Sequence, residues 1–275
     1  MNPPTWCQAN VAFPDWERAE TTALTRLAPL LLTAEDQGAL RAWFIVRKHP
    51  CWRIRYLPGP GGQEHITGGL DQLIAEGCIK AWTEIIYEPE SHAFGGDEAM
   101  ASAHRLFHHD SRGLFNFLRT DAAKHRRETS LMLCSLMMRA AHLDWYEQGD
   151  VWARVAAHRR QEPDTAPREP GQLHAAVRRL VTVDPQYALQ PNGPLAHAAD
   201  WARAYLAAGA ELARLNEAGH LHRGLRDVLA HHVIFAWNRI GLPYATQVAL
   251  TTALKTVIFG LDPAERRAED RVESP

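Results

Sequence analysis

Apolar and polar positions alternate along the first third of the chain and then change period. Residues 6–13 alternate as a strand does and stop at Pro14. Asp15 is the expected N-cap of a helix over residues 16–32, whose apolar residues recur at steps of three and four. Residues 42–46 form an apolar, β-rich run. Residues 51–57 alternate strongly and end at the Pro-Gly-Pro-Gly-Gly stretch 58–62. A helix over 66–77 and a strand over 79–87 complete a β-α-β-β-α-β order. That order predicts an α+β fold with a ferredoxin-like core.

Beyond Gly95 and Gly96 the period is helical almost throughout. Helices are expected over 97–109, 112–120, 128–148 and 151–160, then over 197–218, 222–240 and 244–259. Residues 161–172 are polar and proline-rich and predict a flexible loop. The charged residues from Asp262 onward read as a frayed tail. Neither half shows a capping boundary of its own. The expectation is therefore one domain over 1–260, with a mixed α/β part at 1–96, a mainly helical part at 97–260 and a tail at 261–275.

Composition narrows the class. The 275 residues are 46% hydrophobic and 23% charged, enough for a large core. No apolar run approaches the roughly 20 residues of a membrane helix, and the start lacks the basic and apolar regions of a secretory signal. A soluble, cytoplasmic protein that binds no membrane is expected. Thirty basic residues against 32 acidic ones give no basic excess for binding phosphates, so no direct nucleic-acid contact is expected. Cys7, Cys51, Cys78 and Cys134 are scattered without a CxxC pair, which argues against a zinc knuckle or a disulfide framework. The 15 histidines include the pairs His104/His108 and His220/His222, yet no HExxH or Cys/His spacing accompanies them. Nucleotide-binding glycine motifs and a GxSxG elbow are absent too. No metal and no cofactor are expected.

Three segments carry candidate chemistry. In 49–56 (HPCWRIRY), Arg53 and Arg55 share one strand face while Trp52, Ile54 and Tyr56 take the other. Adjacent guanidinium groups repel unless an anion or protein carboxylates lie between them. In 87–96 (YEPESHAFGG), Glu88 and Glu90 follow a strand end, and the glycines permit positive φ. In 231–241 (HHVIFAWNRIG), His232, Phe235 and Arg239 lie on one helical stripe, with His231 and Asn238 on the next.

In this order and separation the three segments resemble the C-terminal, glutamate-eliminating domain of lantibiotic dehydratases, and the thiopeptide-type bacteriocin biosynthesis proteins. The matching text is 43–55, Tyr87-Glu-Pro-Glu90, Phe94-Gly-Gly96, 103–112 and 232–239, and the likeness spans about residues 6–259. It implies a cofactor-independent lyase. A separate glutamylating protein, dependent on glutamyl-tRNA, would esterify Ser or Thr of a ribosomally made precursor peptide. This chain would then expel glutamate to leave dehydroalanine or dehydrobutyrine. By that resemblance Arg53, Arg55 and His232 are catalytic, with His231 the alternative histidine, and Glu90, His92, Asn238 and Arg239 bind substrate. Where the family carries an arginine before its aromatic-Gly-Gly element this chain has Ala93, so His92 or Arg239 would have to supply that charge. The resemblance also admits a pyridine synthase, which joins two dehydroalanines by [4+2] cycloaddition and releases the leader, and an inactive precursor-binding adaptor. It admits a homodimer as well.

Overall fold

The computed structural model describes residues 5–159 and 170–260. Four strands, β1 (Cys7–Ala12), β2 (Leu40–Lys48), β3 (Cys51–Pro58) and β4 (Ala81–Ile86), form one sheet of order β2-β3-β1-β4, with every neighbouring pair antiparallel. The chain crosses from β1 to β2 through α1 (Ala19–Thr22), a π-helical turn (Ala23–Leu27) and α2 (Ala28–Asp36), and from β3 to β4 through α3 (Gly62–Ala75). Pro29 follows the π turn, and a proline ring would clash with the carbonyl of Thr25 in regular helix; the wider turn makes room for it. Asp15 does not cap this helix. Its carboxylate accepts from the Glu17 amide at 2.9 Å, and regular helix starts only at Ala19.

The remainder is helical: α4 (Asp97–Phe117), α5 (Arg126–Ala140), α6 (Trp145–Ala157), α7 (Pro170–Val181), α8 (Pro185–Ala188), α9 (Ala199–Glu217), α10 (Leu225–Ile240) and α11 (Tyr244–Phe259). None of the described helices is long and apolar enough to cross a membrane. The fold is thus mixed α+β, dominated by helix, with a small antiparallel sheet.

Several helix boundaries differ from the sequence pattern. The expected break before Arg112 is absent, because Ser111 and Gly113 both serve packing from inside a continuous α4. A Cβ on Gly113 would lie 2.4 Å from the Trp201 ring, so glycine allows α4 and α9 to approach. The break expected after Gln148 falls instead at residues 141–144. There His142 adopts φ 61°, and Asp144 accepts from the Glu147 amide at 2.8 Å while Glu147 accepts from the Asp144 amide at 3.0 Å. This reciprocal cap starts α6 several residues earlier than the gap in the pattern suggests. Residues 161–169 of the expected loop, and the tail from 261, lie outside the described residues, whereas 170–172 already belong to α7.

The two sheet faces have different roles. Trp43, Ile45, Trp52, Ile54, Tyr56, Ala9 and Val11 lie in the main core with Leu27, Leu31, Ile66 and Leu70. On the other face Phe44 and Val46 join Tyr87, Phe94, Met100, Ala103 and Phe107 in a smaller cluster. Helix α4 also closes the β2 edge. Ser111 Oγ accepts from the Ile45 amide at 3.1 Å and donates to the Phe107 carbonyl at 2.8 Å, and His108 Nδ1 lies 3.2 Å from the Trp43 amide. Outward backbone groups of that edge strand are thereby satisfied.

Candidate functional site

Strand register places the two arginines. Arg55 sits opposite Gln8 on β1 and Phe44 on β2; Arg53 sits opposite Asn10 and Val46. Both therefore project on the face of the smaller cluster, and Trp52, Ile54 and Tyr56 fill the main core as the alternation predicts. Arg55 is only 5% exposed. Its Nε donates to Gln8 Oε1 at 2.7 Å, and its guanidinium carbon lies 4.5 Å from the Tyr87 ring centroid and 5.5 Å from that of Phe44. A guanidinium on an aromatic face keeps its charge while shedding water. Arg53 is half-buried beside it.

Tyr87 links the arginine to α4. Its hydroxyl lies 2.8 Å from His104 Nε2, and the His104 ring packs on Trp6 with centroids 4.5 Å apart. Burial, reinforced by Arg55, pushes the His104 pKa down to about 4, so this imidazole is neutral near pH 7. Burial also pushes the Tyr87 phenol up to about 12.

Residues 87–96 form a tight loop whose amides turn back on themselves, Phe94 to Glu90 at 3.1 Å and Gly96 to Ser91 at 2.8 Å. Gly95 and Gly96 adopt φ 92° and 109°, and a Cβ on Gly96 would come within 3.0 Å of the His222 ring. The segment before α10 holds this loop from outside: the His222 amide donates to the Gly95 carbonyl at 2.9 Å, and Arg223 Nη1 to the Ala93 carbonyl at 3.1 Å.

This packing brings Glu90 to His231, with Oε2 and Nε2 3.3 Å apart. The His231 bond is the largest influence on Glu90 and, with Arg55 and Lys48 nearby, holds its carboxyl below the usual range against the opposing effect of burial. His231 is half-buried, its ring edge-on to Phe94 at 5.1 Å. His232 turns the other way. It is 2% exposed beneath Phe94, at 4.9 Å between centroids, and burial, with His231 and Arg239 adding, pushes it down to about 3.

The other candidates are placed differently. Arg239 is buried in an ion pair with Asp110, which also accepts from Trp201 Nε1 at 2.6 Å and the Tyr205 hydroxyl at 2.7 Å. Its charge is thus answered inside the helical core. Asn238 accepts from Gln247 Nε2 at 3.3 Å and lines a separate cavity of about 430 Å³ with Arg47, Arg126 and Glu20. The His92 side chain is exposed, and its carbonyl accepts from the Gly95 amide at 3.3 Å. The structure brings Arg53, Arg55, Glu90 and His231 to one side of the sheet; His92 is exposed, Asn238 lines the other cavity, and Arg239 is held through Nε by Asp110 while its buried Nη1 has no hydrogen-bond partner. Gln8, Tyr87, His104 and Arg223 complete the surroundings of the first four. Strand pairing is the signal that selects Gln8, and Tyr87 is the aromatic that opens the loop motif; nothing local points to Arg223.

Chemically, the arrangement offers one fixed cation, a second and more accessible one beside it, and a carboxylate–imidazole pair. Such a set can hold an anion and move one proton. The sequence profile of the lantibiotic biosynthesis dehydratase C-terminal family matches residues 6–258. The chain belongs to that family. Its fold is similar to that of the tRNA-dependent lantibiotic dehydratase MibB from Microbispora sp. 107891, at 18% identity and TM-score 0.68, over 97% of this chain and 29% of MibB. It is also similar to TsrL, at 17% identity and TM-score 0.62, over 94% of this chain and 97% of TsrL. The chain therefore spans less than a third of MibB, while it and TsrL match over nearly their whole lengths. No curated protein matches the sequence.

Proposed function

We propose that this family member is a stand-alone lyase that eliminates glutamate from glutamylated Ser or Thr of a ribosomally made peptide. The observation that carries the reading is the Glu90–His231 pair, 3.3 Å apart, on the same side of the sheet as the two arginines of β3. Cα–H and Cβ–O bonds of the esterified residue break, a Cα=Cβ bond forms, and glutamate leaves as a carboxylate. Arg55, dry and fixed by Gln8, and the more accessible Arg53 stabilise the substrate γ-carboxylate and the charge that develops on the leaving group. His231 takes the Cα proton, and Glu90 orients its ring and stabilises the imidazolium. His232, the sequence-based choice, is less suited, because its protonated form is disfavoured by burial. One proton moves and no electrons are exchanged, so the chemistry calls for no redox cofactor.

The glutamyl ester would come from a separate glutamyl-tRNA-dependent protein, which places both in the cytoplasm. The longer protein MibB is a tRNA-dependent dehydratase, and this chain's fold is similar to part of it. The β-α-β-β-α-β order and the all-antiparallel sheet support a ferredoxin-like reading of the core.

Arg53→Ala and His231→Ala are the tests, given glutamylated peptide and followed by mass spectrometry. Each should slow glutamate loss by about 10²–10³ and let the ester accumulate. Arg53 is half-buried, so its loss leaves the core intact. Wild-type dehydration by both variants ends the lyase reading.

A further inference from the structure

Among the described residues, no strand closes one edge of the sheet. Strand β4 pairs only with β1, and the other side of its backbone faces outward with no strand beside it among the described residues. All but one of its six residues are exposed, and Ile86 is 86% exposed. An internal proline, a lysine and a bulge, three devices that blunt an edge, are absent between Ala81 and Ile86, where Glu84 is the one charge. Its surroundings are acidic: Glu64, Asp71, Glu84 and Glu88 are exposed around the strand, with Lys80 at its start. Gln63 and Trp82 donate to Glu84 and Asp71 at 2.8 Å, so neutral partners leave those charges in place.

From this combination we infer that β4 is a docking edge for an extended peptide, which adds as a fifth strand and carries basic side chains alternating with apolar ones. Main-chain bonds supply the register; Ile85, 42% exposed on one face of β4, meets the apolar side chains, and Glu84 with Asp71 on the other face selects lysine or arginine. A second copy of this chain is disfavoured as occupant, since antiparallel self-pairing sets Glu84 and its acidic flanks against themselves. The strand runs directly into Tyr87 and the Glu90 loop, so a peptide held here lies alongside the site. That the occupant is the substrate's own recognition segment rests on the peptide-lyase reading above; the docking edge itself does not.

The test uses fluorescein-labelled decapeptides of alternating lysine and valine, of alternating glutamate and valine, and of the first sequence with a central proline. Anisotropy and amide hydrogen exchange are read on the full chain. The lysine peptide should bind and protect the β4 amides. The glutamate and proline peptides, and the variants Glu84→Lys/Glu88→Lys and Ile85→Asp, should each weaken binding at least about tenfold. Equal binding across peptides and variants, no binding of the lysine peptide, or protection outside β4 overturns the proposal. So does a dimer by light scattering that Ile85→Asp dissolves, which assigns the edge to a second copy. Arg53→Ala should slow turnover by about 10²–10³ while leaving the anisotropy unchanged. Intact β4 binding in a wild-type chain that fails to eliminate glutamate would therefore refute the chemistry without touching the edge.

Discussion

The two edges of one four-stranded sheet are treated in opposite ways. At β2, helix α4 lies against the strand and gives its backbone Ser111 and His108 as partners, and behind them Asp110 ties α4 to Arg239, Trp201 and Tyr205. At β4 the strand is exposed and rimmed with carboxylates. Stability is invested where helices meet the sheet, and the bare strand runs into the loop that carries Glu90. The contrast teaches that the helical part does more than cover apolar surface: it decides which edge remains available.

Removing the anchor of the covered side should have the largest effect. Asp110→Ala leaves Arg239 buried without its carboxylate, and about 3–5 kcal/mol of unfolding free energy should be lost in urea denaturation. Acid should act on the same half. His232 and His104 have folded pKa values near 3 and 4, below the ordinary 6.5, so the unfolded chain binds more protons as pH falls from 6.5. Their contribution is complete above about pH 6.5 and is lost on acidification toward pH 3–4, on the order of a few kcal/mol for the buried pair. Glu20, held near 2 by Arg126 and Arg47 despite its burial, adds a further loss below its ordinary 4.5. Thermal melts at successive pH values should show this limb, and His232→Leu should flatten it. Ser111→Ala should cost about 1–2 kcal/mol, because the Ile45 amide loses its acceptor. At the bare edge, Ile86→Thr should change stability by less than about 0.5 kcal/mol. A large loss there would mean that β4 is covered in solution.

Much of the sheet was legible because alternation is a local property. The facing of Arg53 and Arg55, and the core positions of Trp52, Ile54 and Tyr56, follow from residues two apart. The reciprocal cap of Asp144 and Glu147 was equally local, four residues in plain view, and it outweighs the nearly continuous apolar pattern that suggested one helix up to Gln148. By contrast, the choice between His231 and His232 depends on where Phe94 and Glu90 arrive from the far side of the fold. Arg239 likewise reads as a ligand-facing cation until Asp110, 129 residues earlier, is seen to take it. These are tertiary pairings, and no helical period encodes them.

The strap formed by His222 and Arg223 has a consequence for how the chain can be divided. Because the loop that carries Glu90 is gripped from residues some 130 positions later, residues 5–159 and 170–260 can be produced as separate fragments to ask whether they rebuild that contact. Expression of either fragment by itself should yield no working centre, whereas co-expression should restore one.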